Sequence, residues 1–321
     1  MKRMGTKARK TLMALLGMAT LMLLSSCIFM KPSYSGERVS LTQYPYNGDE
    51  TPRVIVTFCP AFALPPPPQI SPGTKVELLA DARPYRDDGG VWSDEAMKYD
   101  LDTMQAAGIQ GVLLMIRPSD LIDAAHIERI RQFFALAAAR RPVFSIGLYI
   151  FSDSPIDMGS GNVAQFLSQN GFAALPSGLS VVKSKSMLVV FDVRKIRLHR
   201  QNYQEERQFD IHTWDGKEKF IADSSIAMLR AADNGQVVLA TNIAQHYWPI
   251  PRGDGSFLAN SLRRAFFLKS PVICIHSWNW FNDGSFICPN TLDFSLLNTV
   301  LREEMDALEE LRLKKATDNV N

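Results

Sequence analysis

The chain has 321 residues, 46% of them hydrophobic, with 35 Lys or Arg against 33 Asp or Glu and a formal charge of +2. That balance excludes an intrinsically disordered chain, and it carries no basic excess of the kind that holds nucleic acid. Its four cysteines include no CxxC pair, and no HExxH occurs, so the sequence gives no reason for a structural zinc.

In chain order, Lys2, Arg3, Lys7, Arg9 and Lys10 form a basic leader, and Thr11 to Leu24 is apolar but short for a membrane span. Leu24-Ser25-Ser26-Cys27 follows. This resembles the bacterial lipobox, which implies cleavage before Cys27 and acylation of that cysteine, with several chains giving firm anchoring. Residue 28 is Ile rather than Asp, which by the enteric sorting rule indicates the outer membrane. Removing residues 1–26 takes away five positive charges, which turns +2 into about −3. Residues 27–52 read as a lipidated Cys and a flexible tether, 53–315 as the folded domain, and 316–321 as a disordered tail. Cys59, Cys274 and Cys288 remain. An odd count excludes a complete disulfide framework, leaving one bridge possible, and Cys274 reads as a packed thiol.

Val54–Phe58 is a short β-branched run, and Lys75–Ala80 reads as a second strand. Ser93 is an N-cap with Asp94 and Glu95 in the first turn, and that helix runs to Ala107 and stops at Gly108. Ile109–Ile116 is an apolar strand. Ser119 or Asp120 caps a helix to about Arg140, which Pro142 ends. Val143–Tyr149 and Ser186–Asp192 are strands, Ala222–Ala232 is helical and Val237–Thr241 is a strand. Ser256–Lys269 is a helix and Val272–His276 a strand. Thr291 caps a final helix that turns Leu297, Leu301, Leu308 and Leu311 inward.

Near-continuous apolar strands separated by helices indicate a parallel sheet covered on both faces. Their number and the chain length predict a (β/α)8 TIM barrel, irregular at its start, with a doubly wound open sheet as the alternative. No glycine-rich phosphate loop follows a strand, which argues against nucleotide binding. In a barrel the site lies at the C-terminal strand ends. Arg117, Asp153, Asp192 and Asn242 fall there, with His246, Tyr247 and Trp248 in the next loop. His276, Trp278, Asn279, Trp280 and Asp283 follow the last strand.

The segment from Ile275 to Pro289 resembles the sequence around the catalytic carboxylates of glycoside hydrolase families 71 and 99. Ile275, Ser277, Asn279, Gly284, Ile287 and Pro289 match, and Trp278, Phe281 and Ser285 are close replacements. Trp280 stands where those families have the first Glu, Asp283 where they have the second, and Cys288 where they have a third. The run from Met104 to Ile116, the strand Met187–Asp192 and the stretch Arg252–Phe257 are also similar, in the same order. The resemblance implies a TIM barrel acting on α-linked glycans without metal or organic cofactor.

Glycoside cleavage needs a proton donor and a second group at the anomeric region. The resemblance makes Asp283 the general acid. Its other reading is a turn residue in Asn282-Asp283-Gly284. Asp192 is a site carboxylate or a strand-end residue holding backbone amides. His276 is an acid/base or a hydrogen-bonded structural histidine. Asp81 and Tyr85, in a charged early loop, grip sugar hydroxyls or join a surface ion-pair cluster. Arg117 binds an acidic sugar or pairs with Asp153 or Asp192. Trp278, Trp280, Tyr247 and Trp248 stack on sugar rings or pack in the core. Asn279 completes the substrate-binding set. Three functions follow: a lipid-anchored glycosidase of the bacterial envelope with altered catalytic residues, a non-catalytic glycan-binding lipoprotein, or a structural envelope lipoprotein. The expected partners are a glycan and, through Cys27, a membrane.

Overall fold

The computed structural model describes residues 52–63, 69–71, 74–75, 92–182, 184–217, 219–220, 226–230, 255–268, 270–280, 286–289 and 296–318. In chain order the elements are β1 (Arg53–Phe58), β2 (Gln69–Ser71), β3 (Thr74–Lys75), α1 (Asp94–Ala106), β4 (Gly111–Ile116), α2 (Ala124–Ala138), β5 (Ser145–Ile150), β6 (Ile156–Gly159) and α3 (Ser160–Gln169). There follow β7 (Met187–Asp192), β8 (Ile196–His199), β9 (Phe209–Trp214), β10 (Lys219–Phe220), β11 (Ile226–Arg230), α4 (Ser256–Phe267), β12 (Val272–His276) and α5 (Leu296–Asp318).

One sheet runs in the order β10-β11-β12-β1-β4-β5-β7-β9. Every neighbouring pair in it is parallel except β10 with β11. The last long strand therefore lies beside the first, as in a nearly closed barrel. Side chains alternate along each strand, so each supplies one residue to the lumen and the next to the helices. Ile55, Leu113, Met115, Tyr149, Leu188, Val190, Trp214, Met228 and Cys274 form the inner cluster. Val54, Val56, Val112, Leu114, Ile146, Val189, Ile273 and Ile275 join the outer cluster with Met97, Phe133, Phe134, Leu258 and Leu301. Gly147 faces the lumen. A Cβ there would sit 2.7 Å from Leu113 Cδ2 and 2.8 Å from the Leu188 carbonyl, so this layer closes only around a glycine.

Local signals account for most of the helices. Ser93 Oγ accepts the Ala96 amide at 3.2 Å, and Gly108 ends α1 with φ of 82° while Ile109 N donates to the Met104 carbonyl. The expected cap of α2 is corrected. Asp123 caps it, accepting from the amides of Ala125 and His126 at 2.8 and 3.1 Å. Asp120 instead accepts the Arg117 amide at 2.7 Å. The run contains three residues able to cap, Ser119, Asp120 and Asp123, and composition does not rank them. The helix expected at Ala222–Ala232 is also corrected, because β11 pairs there with β12 from Ile226↔Val272 to Arg230↔His276. A short apolar run carries no period of its own, and the partner strand decides it. β6, β8, β9 and α3 were not anticipated. Of the expected strand at Lys75–Ala80, Thr74–Lys75 pairs with β2, and residues 76–80 lie outside the described residues, as do the expected strand at Val237–Thr241 and cap at Thr291. Leu297, Leu301 and Leu308 are buried on α5, which continues to Asp318, beyond the expected boundary at 315. No helix among the described residues is long and apolar enough to cross a membrane.

Candidate functional site

Strand register brings together the C-terminal ends of β1, β4, β5, β7, β9 and β12. His276 faces the lumen and is 1% exposed. Its Nδ1 lies 2.7 Å from Thr57 Oγ1 on the adjacent strand. Trp214 meets its ring edge-on at 4.8 Å between centroids, and Tyr149 lies at 6.1 Å. His276 is thus part of a packed plug that fills the upper lumen. The Tyr149 hydroxyl lies beside Asp192 and makes no hydrogen bond of normal geometry among the described residues. Burial, and then the Asp192 carboxylate, push its phenol well above the usual range.

Asp192, 4% exposed, is held by Arg194. The guanidinium donates through Nε to Oδ1 at 2.9 Å and through Nη2 to Oδ2 at 2.6 Å, and the Arg194 amide donates to Oδ1 at 3.0 Å. The guanidinium also lies 5.7 Å from the Trp214 ring centroid. Both oxygens accept from Arg194, which suits a fixed anchor more than a proton shuttle.

The β12 terminus divides its side chains between the two faces. Trp278 is 3% exposed and its ring belongs to the outer cluster. Its amide donates to the Thr57 carbonyl at 2.7 Å, and its carbonyl accepts the Cys288 amide at 2.9 Å. The Asn279 amide group bonds the Cys59 backbone at both ends: Cys59 N donates to Oδ1 at 2.9 Å, and Nδ2 donates to Cys59 O at 2.8 Å. Trp280, only partly buried, packs on the inner cluster at the mouth, its amide held by Ser277 Oγ at 2.9 Å. Its indole stands edge-on to Phe151, with centroids 5.2 Å apart.

Arg117 completes this array. Its guanidinium carbon lies 5.3 Å from the Phe151 centroid. Nε donates to Asp153 Oδ2 at 2.6 Å, and Nη2 donates to the Ala63 carbonyl at 2.9 Å. Trp280 and Arg117 therefore pack against opposite parts of the buried Phe151, so that a partly exposed indole and an ion-paired guanidinium lie near each other at the mouth. Beyond β5 and β7, the segments 155–157 and 193–197 line an open cleft of about 540 Å³.

The structure thus gathers Arg117, Asp192, His276, Asn279 and Trp280 at one barrel end and places Trp278 between sheet and helices. Asp283, Asp81, Tyr85, Tyr247, Trp248 and Cys27 lie outside the described residues, with Asn242 and His246. Sequence reasoning missed the mouth residues of β9 because it missed β9. Asp215, exposed just past that strand, accepts the Lys217 amide at 3.1 Å, and His212 Nε2 meets Asp210 Oδ1 at 2.9 Å on the lumen face below Trp214. The alternation Asp210, His212, Trp214 was the available signal.

No protein-family model matches the chain, and no curated protein does. Among solved structures, the GH99 endo-α-mannosidase of Bacteroides thetaiotaomicron superposes with a TM-score of 0.50 at 12% identity, covering 83% of this chain and 98% of that one. A second structure of that enzyme, with bis-tris propane, aligns over 69% of this chain and 86% of its own at a TM-score of 0.44 and 12% identity. The first likeness shows the fold: an α/β, TIM-barrel-like architecture of the kind found in a GH99 glycoside hydrolase.

Proposed function

We propose that this protein is a glycan-binding lipoprotein of the bacterial envelope, anchored through Cys27 and recognising an α-linked glycan at the C-terminal mouth of its barrel. The observation that carries the reading is the partly exposed Trp280 ring at the mouth, with Arg117 held against the same buried Phe151, at the end of the barrel where strand termini build sites. An aromatic face beside fixed polar groups is the combination a sugar ring requires. The endo-α-mannosidase likeness supports the α-linked class of ligand. The lipobox around Cys27 supports the anchor.

Recognition is favoured over turnover by the state of the mouth. Trp280 stands where the resembled families carry a Glu, and indole accepts no proton. Asp192 is locked to Arg194, and Asp153 to Arg117. Hydrolysis is the second reading, and two carboxylates favour it. Asp283 keeps the second acidic position of the motif, and Asp215 lies exposed on the rim. A glycosidase needs such a pair about 5–9.5 Å apart.

The test is incubation of the full-length chain, in detergent, with α-linked oligosaccharides, followed by both binding and product analysis. Binding without product supports recognition. Product formation that Asp283→Asn abolishes replaces it with hydrolysis. Neither binding nor product moves the assignment to a structural envelope protein. Palmitate incorporation in cells, lost in Cys27→Ser, tests the anchor.

A further inference from the structure

The cleft beyond β5 and β7 has a charge pattern that a neutral sugar does not require. β8 is a two-stranded parallel ladder with β6, in which Asp157 faces Arg197 and Gly159 faces His199. Ile196 is buried and Leu198 packs on the outer cluster, so alternation along β8 turns Arg197 and His199 to the opposite, open face, about 6.5–7 Å apart. Lys195, exposed in the turn that leads into β8, lines the same cleft as Arg197, and the three basic residues form a row along it. Pro155, Asp157, Val193, Lys195, Ile196 and Arg197 are among the residues lining the cleft.

The balance of charge there is positive. Arg194 is neutralised by Asp192. Asp157 is the carboxylate facing the row, and it reaches Arg197 only at 3.7 Å and His199 at 3.8 Å, with its side chain 66% exposed. An exposed pair of that length holds its partners weakly. Lys195 makes no ion pair among the described residues. Val193 is 36% exposed and Pro155 is exposed beside it, so the cationic row has an apolar lip. An apolar lip with adjacent ammonium and guanidinium groups fits a sugar ring bearing an anionic substituent, since charge-assisted hydrogen bonds are strongest to such groups.

We infer that this cleft is an acidic-sugar subsite, in which Lys195 and Arg197 bind the carboxylate or sulfate of a uronate- or sulfate-bearing glycan. The inference rests on the glycan-binding reading and narrows its ligand class. Val193 and Pro155 contact the ring.

The test compares neutral α-linked oligosaccharides with their uronate-bearing and sulfated counterparts, titrated into the full-length chain in detergent. The expected result is at least about tenfold tighter binding of the acidic members at low salt. That preference disappears in the Lys195→Gln/Arg197→Gln variant and in high salt, while neutral binding is unchanged. Both positions are exposed, so the variant melts with the wild type, and Lys195→Arg/Arg197→Lys restores the preference. Equal affinity for neutral and acidic members overturns the inference and leaves the glycan-binding reading standing. Preference for anionic over neutral phospholipid vesicles that is lost in the Lys195→Gln/Arg197→Gln variant, with no glycan bound, overturns both and makes the row a membrane contact.

Discussion

Trp280 stands edge-on to Phe151, ring centroids 5.2 Å apart and planes 75° apart, at the end of the strand that closes the barrel. Phe151 carries the Arg117 guanidinium as well. The partly exposed Trp280 ring thus lies at the mouth, supported from beneath by the buried Phe151.

The Asn279 clamp on Cys59 ties the end of β12 to the end of β1 through two buried hydrogen bonds. Asn279→Ala leaves the Cys59 amide and carbonyl unpaired and lowers stability by about 2–4 kcal/mol. Denaturant titration of the variant reads this directly. An unchanged midpoint contradicts the clamp.

Asp192 and Arg194 behave as a unit. Arg194→Ala leaves a nearly buried carboxylate without its cation and costs about 2–4 kcal/mol. Asp192→Asn/Arg194→Gln together cost less than Arg194→Ala alone, because no uncompensated charge remains. A double-mutant cycle that is merely additive removes the pair from the account.

A pH dependence follows from Asp100 on α1. Burial pushes its carboxyl up to about 8 from the usual 3.8, opposed in part by the 3.3 Å bond from Trp92 Nε1. In the folded state the group keeps its proton up to about 8, whereas the unfolded chain releases it near 3.8. Stability is therefore lost as pH rises between those values and is level above them. Asp100→Asn flattens this slope and melts higher than the wild type at pH 8. A parallel slope in the variant refutes the assignment.

Cys59, Cys274 and Cys288 are all free and buried. Burial pushes the Cys59 and Cys274 thiols upward, which suppresses their thiolates. A thiol reagent therefore leaves these three unmodified in the folded chain and titrates them after denaturation. Rapid modification in the native state contradicts this burial.

The barrel was legible where one physical rule acted alone. Val272–His276 and Met187–Asp192 are buried on both faces, so their apolar runs mark them as strands, and Ser93 and Gly108 bracket α1 by capping chemistry. β9 escaped because its lumen positions are Asp210 and His212, which break an apolar run. β11 escaped because five residues cannot display a period. At the site, the strand ends named Arg117, Asp192, His276, Asn279 and Trp280, but not what each side chain touches. Asn279 and Asp192 bind partners 220 and two positions away. The Asn279 pairing is set by register across the barrel, which composition and spacing do not encode, whereas the Asp192 pairing is local to the turn that follows β7.

Calorimetric titration of an α-linked oligosaccharide into the full-length chain and into Trp280→Ala tests the central claim most directly. The account predicts that the wild type binds, and that the variant, checked to be folded at the temperature of the titration, binds about tenfold more weakly. Equal binding by the two proteins would remove Trp280 from the site, and a wild type that binds no α-linked glycan would contradict the assignment itself.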